Sequence, residues 1–182
     1  MNERRRRVRG HHPRAAGRRA ADAVTPLVYF SATRFVLGGD AEVEVLAEHA
    51  GQLEDGLMLL DDLDRRWGSD GELAAIAGLA AGEEITVSWD TVLLLTVARP
   101  RGVEVELVTR RATRVGPVEL PSADVRRAVA AELVGRELTD AGCAAAAVAV
   151  GGFVVVTDSP VAARLRLSAE RARCSDGRRV PG

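Results

Sequence analysis

There is no lysine in this chain of 182 residues; all 25 basic residues are arginine. Chemistry that needs a lysine amine, such as a Schiff base or a phosphate-loop lysine, is therefore excluded. Asparagine is absent after Asn2, and aromatic residues make up only 3% of the chain. With so few rings and a net charge of −1, a nucleic-acid surface built on arginine and stacking aromatics is not expected. Two cysteines, Cys143 and Cys174, lie far apart and lack metal-ligand spacing, so each is expected to be an ordinary thiol. No apolar run reaches the length needed to cross a membrane. None of signal length follows the arginine-rich start, so a cytoplasmic location is expected. Internal repeats, zinc boxes and serine-type triads are likewise missing.

What is present is a hydrophobic content of 47%, enough for one domain with a real core. Residues 1–26 hold Arg4 to Arg7 and the pair His11-His12 and are expected to be a disordered leader. Residues 27–167 carry the periodic patterns, and 168–182 form a polar tail. Leu27 to Phe30 and Thr33 to Leu37 predict strands. Gly38-Gly39-Asp40 signals a turn, and Glu42 to Leu46 alternates as a half-exposed strand does. From Ala47 to Trp67, Leu53, Leu57, Leu60, Leu63 and Trp67 recur at steps of three and four, which predicts the longest helix. A short helix over Glu72 to Leu79, a strand over Glu83 to Val87 and a capped helix over Thr91 to Val97 follow. Val103 to Thr109, Val118 to Leu120 and Ala163 to Leu167 are expected as strands.

The stretch from Ser122 to Asp158 is the most orderly. Ser122 or Asp124 caps a helix whose face is Val125, Val129, Leu133, Val134 and Leu138, and Gly142 suits a left-handed stop. Ala145 to Val150 has no polar face, as a strand buried on both sides requires. Gly151-Gly152 then allows a tight turn or close approach to a ligand before Phe153 to Val156 resumes as strand. These patterns predict an α+β domain with helices packed on a mostly antiparallel sheet that includes Val103 to Val108, Ala145 to Val150 and Phe153 to Val156.

Read as ordered landmarks, the chain resembles the ApbE family, the flavin transferases that attach FMN to proteins with FAD as donor. Ser31-Ala32-Thr33-Arg34-Phe35-Val36-Leu37 keeps the threonine of the family's Met-Gly-Thr strand. Leu63 to Ala77 is similar to the pattern R-F-x-x-D-S-E-L-x-x-L-N, with Arg66, Trp67, Asp70, Glu72 and Leu73 in step and Gly71 at the serine. Ile85 to Ala98 resembles v-x-V-S-x-D-T-x-x-L-L-x-x-A. Ala130 to Val134, Ala141-Gly142, Val148 and Gly151-Gly152 resemble the family helix followed by A-G-x-x-x-A-x-V-x-x-G-G-D.

The resemblance implies an ApbE-like (T-fold-like) α+β fold, a flavin site holding Arg66, Trp67, Asp70, Glu72, Gly151 and Gly152 on one concave surface, FAD as the substrate and a flavin-acceptor protein as partner. Magnesium is the family's cofactor. The departures fall on functional positions. Arg99 to Gly102 replaces the family's Phe-Asp-Pro segment, Asp124 to Arg127 its Gly-Lys-Gly turn, and Phe153 the aspartate after the double glycine. Phe153 is expected in the core. The segment that carries the family's histidine loop and its aspartate and threonine metal ligands has no counterpart. The resemblance thus implies no catalytic and no metal-binding residue among the matched positions. It also implies a shortened member with little or no transfer activity, Arg126 and Arg127 being left to hold a phosphate.

Overall fold

Alternation in the first fifty residues produces a long hairpin. In the computed structural model, which describes residues 26–167, β1 (Val28–Val36) pairs antiparallel with β2 (Gly39–Ala47) across all nine residues. The two strands expected before Gly38 are thus one continuous strand. Leu37 and Gly38 turn the chain with positive φ. The expected leader lies outside the described residues except for Pro26, as do the tail 168–182, the His11-His12 pair and Cys174.

Ala47 is the last, fully buried residue of β2, so the long helix begins only at α1 (Gly51–Trp67). Its leucines Leu53, Leu57, Leu60 and Leu63 are buried as the spacing predicts. α2 (Glu72–Gly78), β3 (Glu84–Thr86) and α3 (Trp89–Ala98) follow, then β4 (Val103–Glu106) and β5 (Arg111–Arg114). α4 (Ala123–Asp140) starts at Ser122, whose hydroxyl accepts the Val125 N–H. It stops in a left-handed turn at Gly142, φ +83°, with the Cys143 N–H donating to the Leu138 carbonyl and the Gly142 N–H to that of Thr139. β6 (Ala145–Val150) and β7 (Phe153–Val156) form the last hairpin.

Two antiparallel sheets result, one ordered β1-β2-β6-β7 and the other β3-β5-β4. Val103–Glu106 therefore belongs to a separate small sheet and does not join the Ala145–Val150 strand. Arg111–Arg114, too polar to announce itself, is the middle strand of that small sheet. Val118 to Leu120 is irregular, and after β7 the chain folds into a 3-10 turn at Ala162–Arg164, so the last two expected strands are absent.

α1 and α4 lie side by side on one face of the larger sheet. Val43, Val45, Ala146, Val148 and Val150 meet Leu57, Leu60, Val134 and Leu138 in the main core. The other face of β6 is covered as well. Ala145 and Ala147, with Leu46, pack under Ala162, Leu165 and Leu167. β6 is thus sandwiched, which is what its unbroken apolar run required. The cover is anchored on Glu44, fully buried, whose Oε2 accepts the Leu167 N–H at 2.9 Å while Oε1 pairs with Arg166 Nε at 3.2 Å. Among the described residues no helix is long and apolar enough to cross a membrane.

Candidate functional site

The α1–α2 junction and the start of α3 come together through their side chains. α3 begins at Ser88, whose hydroxyl caps the helix by accepting the Thr91 N–H at 3.3 Å. Across from it, the Arg66 guanidinium pairs with Asp90, and at 3.4 Å with Asp62. Trp67, 1% exposed, donates its indole N–H to the Thr91 hydroxyl at 2.9 Å. The Glu72 carboxylate accepts the Ser88 N–H at 3.0 Å and the Ser88 hydroxyl at 2.9 Å. Three successive partnerships, Arg66–Asp90, Trp67–Thr91 and Glu72–Ser88, therefore tie the second sequence landmark to the third. Gly71 makes the junction possible: a Cβ there would stand 2.2 Å from the Arg66 carbonyl oxygen, closer than any side chain permits. Asp70, on the same bend, is exposed and makes no hydrogen bond or ion pair among the described residues.

Gly151 and Gly152 lie at the other side of the same end of the molecule. They form the two-residue turn between β6 and β7 with φ of +54° and +90°, values that favour glycine at both positions. The Arg127 side chain crosses over Gly151, where a Cβ would come within 2.4 Å of Cδ. Arg127 Nη2 donates to the Gly38 carbonyl at 2.7 Å and Nε to that of Leu37 at 3.2 Å. Leu37 N–H in turn donates to Asp64 on α1 at 2.7 Å. One residue earlier, Arg126 Nη1 donates to the Trp67 carbonyl at 2.7 Å. Neighbouring arginines on the first turn of α4 thus reach to the glycine turn and to the end of α1. Phe153 is 37% exposed, not in the core. It opens an edge strand beside that turn.

Between the end of α1, α2 and the start of α4 lies a cleft of about 520 Å³. Trp67, Leu73, Ala74, Ala77, Leu120 and Pro121 give it an apolar lining, with Ser69 and Arg126 as its polar groups. Arg126 has no carboxylate partner among the described residues, and its Nε is buried without a hydrogen bond. A concave apolar surface with one uncompensated cation suits a planar apolar ligand that carries an anionic group. Of the six expected site residues, only Trp67 lines this cleft. Arg66 and Glu72 are held in the α3 contacts, and Gly151 and Gly152 sit beyond Arg127. Leu120 ends the stretch expected as a strand, Pro121 follows it, and no spacing rule links either to Trp67. The arginine at 126 was legible as a phosphate holder, its place beside the Trp67 carbonyl was not.

The fold is of the class seen in ApbE flavin transferases. The likeness holds for the Thermotoga maritima ApbE protein, with a TM-score of 0.60 at 12% identity over 71% of this chain and 59% of that one. The Pseudomonas stutzeri flavinyl transferase ApbE, in its apo form, gives 0.53 at 13% over 71% and 55%. The Vibrio cholerae flavin transferase ApbE gives 0.58 at 12% over 70% and 58%. At this identity the likeness is one of fold, and the chain spans less than two thirds of the length of each of these structures. No protein-family model and no curated protein matches the sequence.

Proposed function

We propose that this chain is a FAD:protein FMN transferase-like protein that binds flavin nucleotide in the cleft between α1, α2 and α4 and transfers little or no FMN on its own. The observation that carries the reading is the uncompensated Arg126 beside an apolar cleft of about 520 Å³, in a fold shared with flavin transferases. The ring system would lie against Leu73, Ala74 and Pro121, and Arg126 would hold a phosphate oxygen through its free donors. In ApbE chemistry a threonine hydroxyl of an acceptor protein attacks a phosphorus of FAD and AMP leaves. Such a step depends on positioning and on cations placed against the developing charge. The residues of this chain offer Arg126, and Arg127 is engaged by the Leu37 and Gly38 carbonyls.

A magnesium ion does not fit the donors that the described residues bring to this cleft. Among the described residues no three histidine, cysteine, aspartate or glutamate side chains come together as a metal site. Of the acids near the cleft, Asp62 and Asp90 are held by arginines and Glu72 by Ser88, which leaves the exposed Asp70 alone. These engagements also favour a second reading, a non-catalytic module that binds flavin or a partner protein only.

Titration of the purified chain with FAD, followed by flavin fluorescence, tests the proposal. Saturable binding is expected, weakened about tenfold or more by Arg126→Gln, since a charge-assisted bond to phosphate is lost. No binding would overturn the flavin reading in both its forms and leave only a module for a partner protein. A denaturing gel after incubation with FAD, magnesium and a threonine-bearing acceptor tests the second reading: a fluorescent acceptor band requires transfer and would overturn a non-catalytic module.

A further inference from the structure

β1 is one edge of the larger sheet: nine residues long, paired with β2 along its whole length and bonded to no strand on its other side among the described residues. A long edge exposes a row of backbone N–H and C=O groups ready to accept another strand. β7, at the opposite edge, is only four residues long. The β1 edge also carries large exposed side chains, Tyr29 at 45% and Phe35 at 73%, on the sheet face away from the helices. Its sequence, Val-Tyr-Phe-Ser-Ala-Thr-Arg-Phe-Val, reads similarly from both ends about Ala32.

We propose that two copies of this chain pair antiparallel through β1, with the two-fold axis at Ala32, to form one continuous eight-stranded sheet. In this register Tyr29 of each copy faces Phe35 of the other, Ser31 faces Thr33, Phe30 faces Arg34, and Ala32 faces its own copy. The aromatic pairs cover the two most exposed rings of the outer face, hydroxyl faces hydroxyl, and the arginine stacks on a phenyl ring. A shift of two residues sets Phe35 opposite Ser31 and loses both aromatic pairs, so one register is selected. Charge agrees with it. Arg34 makes no ion pair, and Glu54 and Asp61, exposed on the flank of α1 away from α4, make none either among the described residues. Pairing brings the Arg34 of one copy to the acidic helix flank of the other.

Sedimentation of the full chain over roughly 5–100 μM tests this, a range that spans micromolar association. A doubled mass is expected, with Phe35→Glu raising the dissociation constant at least about tenfold by removing both ring pairs. With Cys143 and Cys174 changed to alanine, Ala32→Cys is expected to cross-link two copies under mild oxidation, because directly opposed Cα atoms stand about 4.5–5.5 Å apart. Thr33→Cys, diagonal to its own copy, is expected not to. A monomer throughout overturns the proposal. So does a dimer that Phe35→Glu leaves unchanged, or one in which Ala32→Cys fails to cross-link while the variant retains its circular dichroism.

Discussion

Trp67 and Arg66 are adjacent, yet they contribute on different scales because one is buried and the other is not. The Trp67 indole N–H is the buried donor to Thr91, whose hydroxyl is itself fully enclosed. Trp67→Phe keeps most of the packing and removes that donor, so a loss of about 1–2 kcal/mol in urea unfolding is expected. The Arg66 side chain is 30% exposed, and solvent screens its pairs with Asp62 and Asp90. Arg66→Ala is expected to cost less than about 1 kcal/mol in the same measurement. Cys143 supplies a pH-dependent observable. Burial pushes its thiol above the usual value, and the Asp55 carboxylate adds to the effect. The thiolate therefore forms only at higher pH in the folded chain than in the unfolded one. In a Cys174→Ala chain, alkylation of Cys143 is expected to be slow at neutral pH, and its rate profile should move to lower pH in denaturant. A neutral-pH rate equal to that of a free thiol would show that the site is open.

At the scale of elements, the junction of α1, α2 and α3 is the most constrained part of the fold. Gly71 lets α2 start against the last turn of α1, with the Ala75 N–H donating to the Gly71 carbonyl at 3.0 Å. Gly71→Ala drives a methyl into the Arg66 and Arg65 carbonyl oxygens, both backbone atoms that cannot step aside. A loss of about 2–3 kcal/mol is expected, together with a lower denaturation midpoint. The same change at Gly78, where no atom lies within 4 Å, is expected to be neutral or slightly stabilising. Equal stability of the two variants would mean that the tight approach at Gly71 is not present in solution. The resemblance placed a serine pattern at this position. On either side of that glycine, Arg66, Trp67 and Glu72 tie the junction to α3.

For the molecule as a whole, Glu44 decides whether the outer face of β6 stays covered. It lies in the middle of β2, 0% exposed, accepts the Leu167 N–H and forms an ion pair with the Arg166 guanidinium, both from a segment far away in the chain. Glu44→Ala leaves Leu167 without its acceptor. It should cost about 2–3 kcal/mol, less than a fully buried pair because Arg166 is half exposed. The signature is local: amides of the β6–β7 hairpin and of residues 162–167 should exchange faster, while those of α3 and β5 do not change. Uniform faster exchange would argue against a separable cover. Glu44→Leu, which fills the site without a charge, is expected to recover much of the loss.

Periodicity alone determined α1, α4, the β6–β7 hairpin and the turn glycines, because each depends on residues within one or two turns of the chain. Leucines at helical steps, serine caps and a glycine at φ +83° act locally, so their effect can be read in order. Only the tertiary structure decided that Val103–Glu106 joins a second sheet, that Ala163 to Leu167 is not a strand, and that Phe153 is exposed at an edge. Strand partners are chosen by whichever edge the helices leave open, and no local pattern encodes that choice. The candidate site divides in the same way. Its residue types were legible at Arg66, Trp67, Glu72 and the glycine pair. Which of them face a cleft was not legible, since that depends on three pairings with α3 made across more than one element. Those pairings leave Arg126, from the far helix, as the cation that the cleft presents.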